Sequence, residues 1–255
     1  MRRRPQLSAT CQTGAMWHLD PRRADFVVLL TLAMAAAVAV GATMLAGEIY
    51  QAVLADSGVA LLDQPVLDWM IGVRTPELNA VIAAFSASGG PLWMTLITAA
   101  VAGLLCWLWK QWTPLVLTAI AVAGSLAMTT GGKRLSGRAR PPLESSIPPP
   151  ETSASFPSGH SLNSLVIAGI LVYLLISRQV TALARAATVT IGLLYAAAMG
   201  LSRVYLGHHW LTDVLGAWCL GLAWLAVVIT WHRLWVHRHP EHDVARVPSS
   251  PAPAG

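Results

Sequence analysis

Long apolar runs separated by short polar segments dominate the pattern of this chain. Between the first two runs lies a stretch of mixed apolar and charged residues at 61–70, which is typical of a helix lying at a membrane surface. The pattern predicts an all-α fold, an integral membrane bundle of six transmembrane helices with an interfacial helix between spans one and two. The predicted spans are 26–46, 92–109, 114–130, 161–176, 183–201 and 211–231.

The composition agrees with a membrane protein. Of the 255 residues, 55% are hydrophobic and 11% are charged, whereas a soluble domain carries about 25% charged residues. We expect one membrane domain at 26–232, a basic cytoplasmic tail at 1–25 and a disordered cytoplasmic tail at 233–255. The net charge of +5 does not indicate a nucleic-acid partner, because the arginines cluster at the chain ends and in the polar segments. The oligomeric state stays open.

The distribution of basic residues predicts the orientation of the bundle. Six spans place both tails on one side, together with the loops at 110–113 and 177–182. That side holds 11 of the 17 lysines and arginines, and the positive-inside rule makes it cytoplasmic. Three polar segments, at 133–141, 157–160 and 202–213, then share the outward-facing side.

The first polar segment offers two cations. Lys133 and Arg140 are seven residues apart, so they share one helix face if the third span continues to Pro141. Two cations on one face suit a phosphate, although a basic flank facing lipid headgroups explains the charge pattern equally well. For Arg134 and Arg138 we favour that flank.

The second polar segment opens a helix, where free backbone N–H groups and the helix dipole favour an anion. Ser158 and Gly159 lie at that start, and His160 follows in the first turn. The preceding proline-rich loop, 141–157, contains Glu144 and Glu151. It is either a semi-rigid rim over the site or a plain tether.

The third polar segment places His209 four residues before Asp213, within reach on a helix. A carboxylate on one imidazole nitrogen fixes the tautomer and makes the other nitrogen more nucleophilic. The alternatives are a helix N-terminus with a favourable acid and a metal site. Nearby cations such as Arg203 would repel a divalent ion and attract a phosphate, so we expect no metal.

Together, the three segments resemble the three-part signature of the type 2 phosphatidic acid phosphatase superfamily, which also contains the vanadium haloperoxidases. The motif positions are Lys133, six residues, Arg140-Pro141; then Pro157-Ser158-Gly159-His160; then Ser202-Arg203, five residues, His209, three residues, Asp213. Every position of the signature is matched. The resemblance implies a helical bundle, a mechanism without metal or cofactor, and a phosphohistidine intermediate.

The resemblance also implies a role for each residue. His209 is the expected nucleophile, Asp213 orients it, and His160 protonates the leaving oxygen. The expected phosphate-binding groups are Lys133, Arg140, Ser158, Gly159 and Arg203. Because charge develops on the phosphoryl oxygens during transfer, fixed cations and backbone dipoles suit these positions on chemical grounds as well.

These observations predict a membrane enzyme that hydrolyses a lipid phosphate or diphosphate, with a polyprenyl (undecaprenyl-type) diphosphate as the first candidate. Phosphatidylglycerophosphate and phosphatidic acid are the next candidates, and transfer of the phosphoryl group to another alcohol is a further possibility. A vanadate-dependent peroxidase is disfavoured by the membrane spans. A non-catalytic binder of lipid phosphates is disfavoured by the intact pair of histidines and Asp213.

Overall fold

The structure of the protein is a computed structural model that describes residues 21–239, with side chains from residue 29 onward. Within this range it contains α-helices and short 3₁₀ turns but no strand, so the predicted all-α class is confirmed. The helices are α1 (Pro21–Leu54), α2 (Asp63–Gly72), α3 (Pro76–Ser88), α4 (Pro91–Trp109), α5 (Thr113–Ser136), α6 (Gly159–Ile176), α7 (Ala182–Tyr205) and α8 (Leu211–Arg238).

Six of the described helices are long and apolar enough to cross a membrane: α1, α4, α5, α6, α7 and α8. Their outer faces carry large exposed apolar side chains such as Trp107 and Ile191, which a bilayer would cover. The predicted six-span bundle is confirmed, and the protein is an integral membrane protein. The predicted tails lie mostly outside the described residues, while α1 begins at Pro21 and α8 continues to Arg238.

Two short helices, rather than one, connect the first two spans. The predicted helix at 61–70 corresponds to α2, and α3 follows after a short turn. Thr75 caps α3 by accepting a hydrogen bond from the Leu78 N–H, and Pro76 occupies its first turn, where proline is well tolerated. Both helices pack against α7, which places them at the end of the bundle where α7 finishes.

Helix α6 forms the centre of the bundle and packs against α5, α7 and α8. Leu162, Val166, Ile170 and Leu174 are fully buried, and their spacing of four residues places them on one face of the helix. Because successive spans run in opposite directions, the end of α5 and the starts of α6 and α8 meet at one end of the bundle. The three predicted polar segments therefore lie together.

Candidate active site

Helix α5 ends within the first polar segment, earlier than predicted. The helix ends at Ser136, and Gly137 adopts a left-handed conformation with φ of 55°, which glycine accepts without steric cost. The expectation of a helix continuing to Arg140 is therefore wrong. Lys133 and Arg140 nevertheless converge, because Lys133 Nζ and Arg140 Nη2 both donate to Ser153 Oγ, at 2.9 and 3.1 Å.

The third polar segment brings His209 against Asp213. His209 lies in the turn before α8, and its Nδ1 is 3.3 Å from Asp213 Oδ2. Gly207 shapes this turn, since its φ is 72° and a side chain there would collide with the Ser145 carbonyl. The predicted pairing thus forms across a turn rather than along a helix. Asp213 is fully buried, and His209 is 1% exposed.

The second nitrogen of His209 faces the cations. Its Nε2 lies 3.1 Å from Arg140 Nη1, so Nε2 is the acceptor nitrogen and Nδ1–H faces Asp213. Burial lowers the pKa of His209 to about 4, with Arg140 and Arg203 acting in the same direction, although Asp213 opposes them. The ring is therefore neutral at neutral pH, and the electron pair of Nε2 points toward the Arg140 guanidinium group.

The carboxylate of Glu151 lies between these guanidinium groups. Its Oε2 is 2.7 Å from Arg140 Nη2, and its Oε1 pairs with Arg203. Burial alone would raise the pKa of Glu151, but Arg203, His209 and Arg140 outweigh this effect and hold it well below its ordinary value. The charge pattern of the sequence did not single out this residue as part of the site.

The loop that carries Glu151 packs over the site as a rim. Lys133 Nζ donates to the Ala154 carbonyl at 2.6 Å, and the Ser155 N–H donates to the Arg138 carbonyl at 2.8 Å. The Ile147 N–H also donates to the Leu206 carbonyl at 2.9 Å. Of the two interpretations left open by the sequence, these contacts favour the rim over a plain tether.

Arg138 is part of the site, so its interpretation as a lipid-facing flank is wrong. Its Nη1 donates to Asp213 Oδ1 at 2.5 Å, and its Nη2 donates to Asp63 Oδ2 at 2.6 Å. Asp63, in α2, also accepts from the backbone N–H and the hydroxyl of Thr212. Arg138 lies beyond the end of α5, where helical periodicity no longer relates it to Lys133. Arg134, by contrast, is exposed.

The second polar segment begins α6 as predicted. Ser158 is fully buried and caps the helix, with its Oγ 3.5 Å from the Ser161 N–H and 2.8 Å from Ser161 Oγ. A side chain at Gly89, just before α4, would approach the His160 ring to 3.2 Å. The start of α4 therefore lies beside the His160 ring.

Two further residues complete the surroundings of the site. Arg203 is 3% exposed and donates to Ser86 Oγ at 2.6 Å as well as to Glu151. His208 is also buried, and its Nε2 donates to the Ile147 carbonyl at 2.8 Å. Among residues 21–239, no group of three or more His, Cys, Asp or Glu side chains is arranged to hold a metal ion.

The fold and this cluster define a class: an integral membrane protein of six spans with a strongly cationic, histidine-containing site at one end. The sequence model of the PAP2 superfamily matches residues 112–237, a range that contains all three polar segments. The chain belongs to the PAP2 superfamily and is a membrane phosphatase.

Two curated relatives share part of the sequence. Phosphatidylglycerophosphatase B of Bacillus subtilis is 27% identical over 175 residues, which cover 68% of this chain and 85% of the relative. An undecaprenyl-diphosphatase of Sulfolobus acidocaldarius is 35% identical over 80 residues, which cover 31% of this chain. The chain thus spans about a third of the second relative, 34% of its length.

Two crystal structures share the fold. The transmembrane PAP2-type phosphatidylglycerolphosphate phosphatase of Bacillus subtilis superimposes with a TM-score of 0.71 at 24% identity, covering 78% of this chain and 97% of that one. LpxE of Aquifex aeolicus superimposes with a TM-score of 0.51 at 21% identity, covering 66% of this chain and 94% of that one. At these identities the likeness concerns the fold alone.

Proposed function

We propose that this phosphatase hydrolyses a lipid phosphate or diphosphate through a phosphohistidine intermediate. The observation that carries the proposal is the orientation of His209. One ring nitrogen faces the buried Asp213 carboxylate, and the other faces the guanidinium groups that hold Glu151. A phosphoryl group bound by those guanidinium groups would meet a neutral, oriented nucleophile.

The reaction proceeds in two displacements. His209 Nε2 attacks the terminal phosphorus, a P–N bond forms, and the P–O bond to the lipid breaks as His160 gives a proton to the leaving oxygen. Water then attacks the phosphohistidine, passes a proton to His160, and releases inorganic phosphate with His209 free again. Arg140, Arg203 and Lys133 balance the charge on the phosphoryl oxygens, with Ser158 and the Gly159 N–H beside them.

The position of His160 supports its role as the general acid. His160 lines a cavity that extends from the cationic cluster between α4 and α5, and His209 is not among the residues that line it. In an in-line displacement the leaving group departs opposite the nucleophile. A lipid in this cavity would therefore carry its leaving oxygen on the side of His160.

A polyprenyl diphosphate is the first substrate candidate. One relative is named for undecaprenyl diphosphate and the other for phosphatidylglycerophosphate, so both belong among the candidates, with phosphatidic acid next. A lipid phosphotransferase would use the same intermediate and a different acceptor. Release of inorganic phosphate, rather than its appearance on a second lipid, separates hydrolysis from transfer.

The purified protein should release phosphate from a panel of these lipids in detergent micelles, with rates compared at matched lipid fractions. Activity should persist in EDTA, because the cluster supplies its positive charge from arginine and lysine side chains. If activity is lost in EDTA and restored by one divalent ion, the metal-free mechanism is wrong. If no lipid phosphate in the panel is hydrolysed, the proposed function fails.

We further propose that the site faces outward and that both chain ends are cytoplasmic, on the basis of the arginine distribution. In a background without its three cysteines, Glu144→Cys should react with an impermeant thiol reagent in intact cells. Val180→Cys, exposed at the opposite end of the bundle, should react only after lysis. The reverse pattern would place the site in the cytoplasm.

The pH profile tests the protonation of His209. An ordinary histidine has a pKa near ~6.5, whereas burial lowers the pKa of His209 to about 4. Because the neutral ring is the nucleophile, kcat/KM should fall as the pH drops through about 4 and lose little between neutral pH and pH ~5. A substrate whose own phosphate pKa is known should be used, so that the titration of His209 can be separated from the titration of the substrate. An acid limb near ~6.5 would contradict the prediction.

Glu151 must leave the guanidinium groups when an oxyanion binds them. Glu151→Gln removes its negative charge, so inhibition by vanadate should become about tenfold tighter, equivalent to about 1.4 kcal/mol. Glu144→Gln is the matched control, since Glu144 lies on the same loop and is exposed. Unchanged or weaker inhibition in Glu151→Gln would show that the carboxylate does not compete with the anion.

A further inference from the structure

His208 is a buried histidine next to the proposed nucleophile, and one of its ring nitrogens has no partner. Its Nε2–H donates to the Ile147 carbonyl at 2.8 Å, so the electron pair of the neutral ring lies on Nδ1. His208 is 6% exposed, and within the described part of the chain no group forms a hydrogen bond with Nδ1. Because a buried acceptor without a donor is unfavourable, this nitrogen is a candidate to accept a hydrogen from a ligand.

The carboxylate of Glu151 marks where an anion lies in front of this nitrogen. Its Oε1 pairs with Arg203 and is 3.9 Å from His208 Nδ1. Its Oε2 pairs with Arg140 and is 4.0 Å from His209 Nε2. Arginine binds carboxylates and phosphoryl groups with the same planar fork. Two phosphoryl oxygens that replaced this carboxylate would therefore take the same two positions, one near each histidine.

The protonation state of the oxygen beside His208 decides whether this contact is favourable. Burial and the charge of Arg203 lower the pKa of His208, although the hydrogen bond to Ile147 and the charge of Glu151 oppose them. The ring is therefore neutral at neutral pH. A deprotonated oxygen would place two acceptors opposite each other, whereas a P–O–H group would donate to Nδ1. The charged and titratable groups around His208 are Arg140 and Glu151 on the loops, Arg203 on α7, His160 on α6 and the adjacent His209.

We infer that the site binds the terminal phosphate in its singly protonated form, with the P–O–H group donating its hydrogen to His208 Nδ1. The inference rests on the proposed function and adds a specificity-determining residue to it, because His208 selects the protonation state of the phosphoryl group. The same oxygen still accepts a hydrogen bond from Arg203, since a hydroxyl group is both donor and acceptor. His208 takes no part in the P–N bond, which forms at His209.

The test measures binding without turnover, with hexyl phosphonate and its 1,1-difluoro analogue as probes. Fluorine withdraws electrons, so the difluoro compound loses its second proton at a lower pH. Calorimetry on the purified protein between about pH 5 and pH 9 should show that each Kd rises about tenfold per pH unit above the second pKa of that probe, because the bound form keeps one proton. Titration of a protein group would instead affect both probes at the same pH.

Two substitutions separate this role from the role of His208 in holding the loop. His208→Gln can place its amide N–H near the position of Nε2 and keep the bond to the Ile147 carbonyl, but it leaves no acceptor at the position of Nδ1. His208→Asn can place its amide oxygen near the position of Nδ1, and it loses the bond to Ile147. His208→Gln should bind the protonated probes about tenfold more weakly and lose the dependence on probe pKa, whereas His208→Asn should keep that dependence.

Identical pH curves for the two probes in the unmodified protein would overturn the inference, whatever the variants do, and so would failure of both probes to bind. An undiminished dependence on probe pKa in His208→Gln would place the proton on another group, such as His160, and would also overturn it. Equal losses in both variants would assign His208 to holding the loop alone.

The outcome does not depend on hydrolysis. A protein that hydrolyses lipid phosphates but shows identical pH curves for the two probes would keep the proposed function without the inference. A protein that binds the probes in their singly protonated form and hydrolyses no lipid phosphate would keep the binding mode and lose the proposed function.

Discussion

His209→Ala should lower turnover of the lipid substrate by roughly four orders of magnitude or more, because it removes the group that forms the covalent intermediate. Brief incubation of the unmodified protein with substrate labelled in the terminal phosphate should leave acid-labile label on the chain, and the variant should carry none. His208→Ala is the control, since His208 is the adjacent buried histidine and faces the Ile147 carbonyl. It should retain the label.

The second histidine should respond differently. His160→Ala should slow lipid substrates, whose leaving oxygens are poor leaving groups, far more than an aryl phosphate, whose leaving group needs little protonation. Equal losses on both substrates would leave His160 as a phosphate ligand rather than an acid.

Full activity of His209→Ala on any lipid phosphate would falsify the phosphohistidine mechanism.

Arg138→Met should destabilise the protein by about 3–5 kcal/mol, because it leaves the carboxylates of Asp63 and Asp213 without their shared cation. Asp213 should also lose its fixed position against His209, so kcat should fall while KM changes little. Thermal unfolding in detergent measures the first effect and steady-state kinetics the second. Arg138→Lys should recover part of kcat.

The control for this change is Arg134→Met. Arg134 is a nearby cation and is exposed, so its loss should alter neither stability nor kcat. A double variant, Asp63→Asn with Arg138→Met, should cost less than the sum of the two single changes, because both act on one ion-pair network. If Arg138→Met behaves like Arg134→Met, Arg138 has no positioning role.

The sequence by itself determined the class of fold and the family. Apolar runs of membrane-spanning length predict helices reliably because a bilayer leaves no water for unpaired backbone groups. The three polar segments identified the family because residue types and their spacing along the chain, as in His209 with Asp213, are enough to indicate the chemistry. The sequence also contains an indication that α5 ends early, because glycine, here Gly137, is the residue most suited to a left-handed helix cap. The seven-residue spacing of Lys133 and Arg140 favoured a longer helix instead.

Only the tertiary structure decided which charged residues outside the motifs belong to the site. Glu151 and Arg138 lie in irregular segments, where no helical or strand period relates a residue to its neighbours in space. Asp63 is 150 residues before Asp213 in the chain, and both meet Arg138 because α2 packs against the end of the bundle where α8 begins. The cavity beside His160, likewise, exists only in the space between α4 and α5, which no spacing along the chain predicts.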